Sequence, residues 1–228
     1  LRRLFHTLGR ILLAVAALWL LLAVAYRWLD PPGTPLMLLR WPTVARIDYR
    51  PVSSARLAPA LAEAVIASED QAFCLHHGVD FNQVGDALHE FESRGRLRGA
   101  STITMQTARN LFLWPGGGIF RKALEVPLAF LLEALMPKHR IMTLYLDIIE
   151  WGDGTFGAEA AAEHYFRKDA ARLDRREAAL LAAVLPNPNR MSPLRPSAYV
   201  RERAAIIEGR MGRLEGLTGC LRGEFSRE

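Results

Sequence analysis

The stretch SEDQAFCLHHG, residues 68–78, sets two adjacent carboxylates, Glu69 and Asp70, beside Phe73, His76 and Gly78. A carboxylate at the mouth of a cleft can take a proton or give one. The same pair also fits the solvated end of an amphipathic helix, because residues 60–67 are apolar enough to pack. Two further clusters bear on the choice. In GASTITMQTARN, residues 99–110, small and hydroxyl side chains that include Ser101 and Thr102 lead into a helix carrying Gln106 and Arg109. Exposed N–H groups at such a helix start suit a phosphate. In RKALE, residues 121–125, the cations Arg121 and Lys122 can bind a phosphate and stand one turn before the carboxylate of Glu125.

Taken together, Glu69 and Glu125 with Arg109, Arg121 and Lys122 fit chemistry at an anomeric carbon: a base for the attacking hydroxyl and cations for a phosphate leaving group. Each cluster alone has a plainer explanation, namely a solvated acidic pair, a helix cap and a surface ion pair. His76 and His77 raise the question of a metal. With no further His, Cys or Asp at ligand spacing, hydrogen-bonded structural histidines are the simpler account. Neither Ser-x-x-Lys nor Lys-Thr-Gly occurs, which excludes a penicillin-sensitive acyl-transfer domain.

The residues that must position these groups read as mainly helical. Periodicity gives helices over 57–67, 101–113, 120–136, 138–149, 157–166 and 198–211, with Pro127 expected to kink the third. Capping boxes at Asp80 with Gln83 and at Asp174 with Glu177 open two more, the first putting Val84, Leu88 and Phe91 on one face. A short strand is expected around 43–49, and there are no internal repeats.

The N-terminus reads differently. Residues 11–26 form an uncharged apolar run flanked by Arg10 and Arg27, with Trp28 suited to an interface. Arg2, Arg3 and Arg10 precede it with no acidic residue, so a spanning helix would keep its N-terminus cytoplasmic and carry the rest across. Ala23-Val24-Ala25 also fits a signal-peptide cleavage site, although the run is long for one. Asp30 to Pro35 reads as a linker leaving the membrane.

The charge balance, 29 Lys and Arg against 24 Asp and Glu, fits an anionic partner such as a phosphate or a lipid headgroup and is too small to argue for nucleic acid. Half of the residues are hydrophobic, more than the anchor accounts for, so part of the remaining surface can lie against lipid. The two cysteines, Cys74 and Cys220, exclude a disulfide framework and are too few for a thiolate metal site, and the sequence does not say whether they pair.

Four segments then carry a resemblance. EDQAFCLHHG, GASTITMQTARNLFLW, the run from RKALEVPLAF to GAEAAAEHYF, and REAALLAAVLPNPNRMSP resemble, in order, the successive motifs of the peptidoglycan glycosyltransferases of family 51, the glycosyltransferase type of class A penicillin-binding proteins. The similarity is greatest to the monofunctional members, which have one membrane anchor and no transpeptidase domain, and it favours an uncleaved helix. It implies a lysozyme-like, two-lobed α domain, here residues 57–228, after an anchor at 1–29 and a linker segment at 30–56. The implied reaction is polymerisation of lipid II: the 4-hydroxyl of an acceptor attacks the anomeric carbon of a lipid-linked donor and undecaprenyl pyrophosphate leaves. By motif, Glu69 is implied as general base and Glu125 as the second carboxylate, acting through a divalent cation, Mg2+ or Mn2+, or through the basic residues. Ser101, Thr102, Gln106, Arg109, Arg121 and Lys122 are implied as donor contacts, while Asp70, Phe73, His76 and Gly78 shape the loop that aims Glu69. Implied partners are lipid II, the lipid-linked glycan chain, the bacterial inner membrane and proteins of cell-wall synthesis or division.

Four departures stand out against the family pattern. Arg109 replaces a common lysine, Met105 a frequent glutamine and Asp147 a frequent asparagine, and the loop at 114–118 lacks an arginine often found before the RK pair. Two other readings share some of these features. A lytic transglycosylase or muramidase would cleave finished glycan, and a catalytically silent membrane scaffold would bind lipid II without turnover.

Overall fold

The computed structural model describes residues 2–94, 99, 101–214 and 216–225. The first helix, α1 (Arg2–Tyr26), is longer than the uncharged run because it takes in the basic residues before it. Its 25 residues rise about 37 Å, enough to cross a hydrocarbon core of about 30 Å, and most of it is exposed. The chain thus carries one apolar N-terminal helix consistent with a single-pass anchor.

Only the end of α1 is seated on the rest of the protein. Ala23 is buried, Tyr26 stacks on Phe112 with ring centroids 6.4 Å apart, and Trp19 and Leu22 pack against the core. A helix end leaves carbonyls without partners. Arg140 Nε donates to Tyr26 O at 2.8 Å and Arg140 Nη1 to Asp30 Oδ1 at 2.9 Å, which fixes the exit of the anchor.

The segment read as plain linker contains a short helix, α2 (Pro35–Arg40), opened by the Thr34 hydroxyl on the Met37 N–H with Pro35 in the first turn, where its missing N–H costs nothing. The expected strand shrinks to β1 (Asp48–Tyr49). It joins β2 (Glu150–Gly152) and β3 (Thr155–Phe156) in the order β1-β3-β2, with Asp48 opposite Thr155 and Tyr49 opposite Phe156 in a parallel pair. Gly154 turns between β2 and β3 with φ +72°, against the carbonyl of Arg46, where a side chain would not fit.

The core is built around α3 (Pro59–Glu69), which is buried on nearly every side by Leu61, Ala62, Ala64, Val65, Ile66 and Ala67. It packs against α9 (Arg175–Val184) and α10 (Ala198–Met211). Asp174 and Glu177 form the full capping box at α9, and Ser197 caps α10. On the other side, α5 (Ile103–Phe112) lies against α6 (Gly118–Leu135) and α7 (Lys138–Ile148), and α8 (Ala158–Phe166) covers the small sheet. Pro127 lies inside α6 without ending it. All of 141–148 in α7 is buried, so this helix is surrounded by core rather than packed on one face, as a stripe of Ile141, Leu144, Tyr145 and Ile148 would have it.

After the loop that follows α3 comes α4 (Phe81–Arg94), whose Asp80 accepts the N–H groups of Asn82 and Gln83 at 3.0 and 3.1 Å. Of its expected apolar stripe, Val84 is exposed, while the side chains of Leu88 and Phe91 lie outside the described set. Cys74 and Cys220 form a disulfide across 146 residues, with Cα atoms 5.6 Å apart, tying the loop after α3 to the C-terminal segment.

Candidate active site

Glu69 is the last residue of α3, and the loop after it is fixed from several directions. Asp70, fully buried, accepts the backbone N–H of Ile103 through Oδ2 at 3.0 Å and stands 3.0 Å from His76 Nε2. Phe73 is buried, with Lys138 Nζ 4.4 Å from its ring centre. Gly78 has φ +91° and lies against the backbone of Ala129, which a Cβ would crowd. The Thr102 hydroxyl donates to Gly78 O.

At the start of α5, Asp70 takes the Ile103 N–H, Thr102 Oγ1 takes the Met105 N–H, and Thr102 is buried, so two of the N–H groups there have partners within the chain. Thr102 therefore ties the loop of Glu69 to α5, and its hydroxyl is already used in both directions.

The Glu69 side chain is 17% exposed. Its Oε2 accepts from Gln106 Nε2 at 3.1 Å, and Gln106 Oε1 in turn accepts from the Tyr145 hydroxyl at 3.2 Å. Burial, and then the charge of Glu69, push the Tyr145 phenol well above its ordinary range, so it stays a donor. Glu69 Oε1 lies 3.6 Å from Arg203 Nη2. Glu69 opens onto a cleft of about 620 Å³ whose walls include Gln83, Asp86, Arg203, Arg210 and Leu217.

The second carboxylate sits in a cationic pocket. Glu125 is 1% exposed in α6, where Arg121 Nη1 bonds its Oε1 and Lys122 Nζ its Oε2. Lys122 also donates to Ser101 Oγ, and Arg121 Nε to Gly116 O. Arg109 and Arg121 line one small cavity with Trp114 and Gly116. Gly117, with φ +82°, provides the left-handed entry to α6. Ser101, Arg121, Lys122 and Glu125 are thus bonded together, with Arg109 beside them, while Gln106 belongs with Glu69.

The donor set around Glu125 does not suit a divalent cation. Both carboxylate oxygens already face cations, and no three His, Cys, Asp or Glu side chains cluster as ligands among the described residues. What the pocket offers is positive charge suited to an anion.

Arg203 and Arg210 did not stand out as site residues because on a mixed helix such arginines look like surface charge. Their spacing beside the buried Val200, Ala204, Ile207 and Met211 was the available signal. Asp147 is fully buried. Its Oδ1 accepts from the Val52 N–H at 3.3 Å, Oδ2 has no partner, and burial raises the carboxyl to about 8.

The profile of the Transglycosylase family matches residues 40–212. A biosynthetic peptidoglycan transglycosylase of Rhodospirillum centenum is 53% identical over 222 residues, covering 96% of each chain. One from Ectopseudomonas mendocina is 49% identical over 94% of this chain and 90% of its own. One from Pseudomonas putida GB-1 is 44% identical over 99% and 98%.

Proposed function

The chain belongs to the Transglycosylase family, and from that premise we propose that Glu69 is the base with which it polymerises glycan strands from lipid II. It is a peptidoglycan glycosyltransferase. The acceptor 4-hydroxyl gives its proton to Glu69 as its oxygen bonds the donor anomeric carbon. The bond from that carbon to the pyrophosphate breaks, and undecaprenyl pyrophosphate carries away the electron pair.

One observation carries the assignment: Glu69 has Oε2 fastened by Gln106 while the carboxylate faces the cleft. A base must be positioned before it can work, and a chain of two hydrogen bonds to a buried tyrosine does that. Arg121, Lys122 and Arg109 are assigned to the departing pyrophosphate, where fixed cations stabilise the charge that develops. Glu125 holds the first two in place, and Ser101 orients Lys122.

The same reading sets the enzyme in the bacterial inner membrane with its N-terminus cytoplasmic. Arg2, Arg3 and Arg10 favour that orientation. The Cys74–Cys220 disulfide supports it independently, since such bonds persist in oxidising compartments. Exposed Trp28, Leu29, Leu38, Leu39 and Trp41 near the end of α1 suit a domain lying on lipid.

Incubating the detergent-solubilised full chain with lipid II tests the activity. The proposal expects long glycan and released undecaprenyl pyrophosphate. Release of fragments from purified cell wall without any polymer would instead make it a lytic enzyme.

A further inference from the structure

Arg203 and Arg210 stand two turns apart on α10, and both reach the C-terminal end of α3. Arg210 Nη1 donates to Ala67 O at 3.4 Å, and Arg203 Nη2 lies 3.6 Å from Glu69 Oε1. α3 has no basic residue in its own last turn. The end of a helix carries unpaired carbonyls and partial negative charge, so a carboxylate there is repelled unless cations come from elsewhere. Here they come from a helix 130 or so positions later in the chain, about as non-local as the fold permits.

The burial of α10 fixes where Arg203 can go. Val200, Ala204, Ile207 and Met211 seat the helix on the core, and Arg203 follows that stripe with its Nε buried and without a partner. Its guanidinium cannot act as acid or base, being always charged. At 3.6 Å, Nη2 is beyond ordinary hydrogen-bond length from Oε1, so it brings charge to Glu69 without occupying an oxygen lone pair. Gln106 already holds the other oxygen.

We infer that Arg203 is a positioning residue for the transfer reaction: with Gln106 on Oε2, its charge keeps the Glu69 carboxylate in one orientation and leaves Oε1 as the atom that accepts the proton. This rests on the reading of Glu69 as the base. Arg203 acts through Glu69: its Nη2 lies 3.6 Å from Oε1 at the wall of the same cleft.

Steady-state polymerisation of lipid II by full-length Arg203→Ala, Arg203→Lys and Arg203→Met, with Glu69→Gln alongside, separates the possibilities. We expect Arg203→Ala to lower kcat about tenfold or more while KM stays within about twofold of wild type. Arg203→Lys should recover most of kcat, and Arg203→Met, which keeps the aliphatic stem without charge, should not. If Arg203→Ala does not fold, the Lys and Met pair decides the matter. Unchanged kcat in Arg203→Met, or a loss confined to KM, overturns the inference. Wild-type turnover by Glu69→Gln would overturn the base assignment instead, whatever the Arg203 variants do.

Discussion

Tyr145 donates its hydroxyl to Gln106 Oε1 at 3.2 Å, and this decides which end of the Gln106 amide faces Glu69. A phenol kept protonated needs an acceptor, so the carbonyl turns to Tyr145 and the NH2 to the carboxylate at 3.1 Å. Tyr145→Phe frees the amide. We expect kcat to fall several-fold and stability by about 1 kcal/mol, read by polymerisation rate and thermal melting. An unchanged kcat would mean that Gln106 holds its orientation without the tyrosine.

Arg121 and Lys122 share Glu125, and removing one cation leaves a buried carboxylate half-compensated. Arg121→Met should lower the affinity for lipid II at least tenfold, measured as KM, and also lower the melting temperature. Glu125→Gln in the same background should restore part of the melting temperature and none of the affinity. Wild-type KM in Arg121→Met would remove Arg121 from the donor site.

Asp147 should cost stability at high pH. Its carboxyl is raised to about 8 by burial, above the range it has when unfolded, so between about pH 4 and 8 the folded chain binds a proton that the unfolded chain has released. Stability from this group is therefore fullest below pH 4 and declines as pH rises towards 8. Asp147→Asn keeps an acceptor for the Val52 N–H and cannot ionise. Chemical denaturation should show the variant more stable by an amount of order a few kcal/mol at pH 9 and similar to wild type at low pH. Equal pH slopes in the two proteins would contradict this.

The disulfide joins the loop carrying Asp70 and His76 to the segment carrying Leu217, which lines the cleft. Cys220→Ser, or reduction with dithiothreitol, should destabilise the protein by about 2–5 kcal/mol, seen as a lower melting temperature. An unchanged melting temperature would show that buried residues such as Leu214, Leu221 and Phe225 hold the C-terminal segment without the disulfide.

Much of this architecture was legible from local chemistry. Asp174 and Glu177 announce α9, and the apolar run before Glu69 marks α3, a helix buried on nearly every side. The grouping of Arg121, Lys122 and Glu125 was likewise readable, because helical spacing puts them on one face. What escaped depends on distant partners. The strand pairing of 48–49 with 155–156 and the bond between Cys74 and Cys220 cross more than a hundred residues. The bond from Thr102 to Gly78 was not legible, because a hydroxyl before a helix looks the same whatever it faces. The pairing of Arg203 with Glu69 could be seen only once α10 was docked on α3.

The central claim is that Glu69 takes the proton, and the most direct measurement is lipid II polymerisation by Glu69→Gln beside the wild type in the same detergent. Gln keeps the size of the side chain and can still face Gln106, so the fold should persist, as the melting curve will show. The account predicts glycan chains from wild type and a loss of about 100-fold or more in the variant. Polymerisation by a folded Glu69→Gln variant at close to the wild-type rate would contradict it.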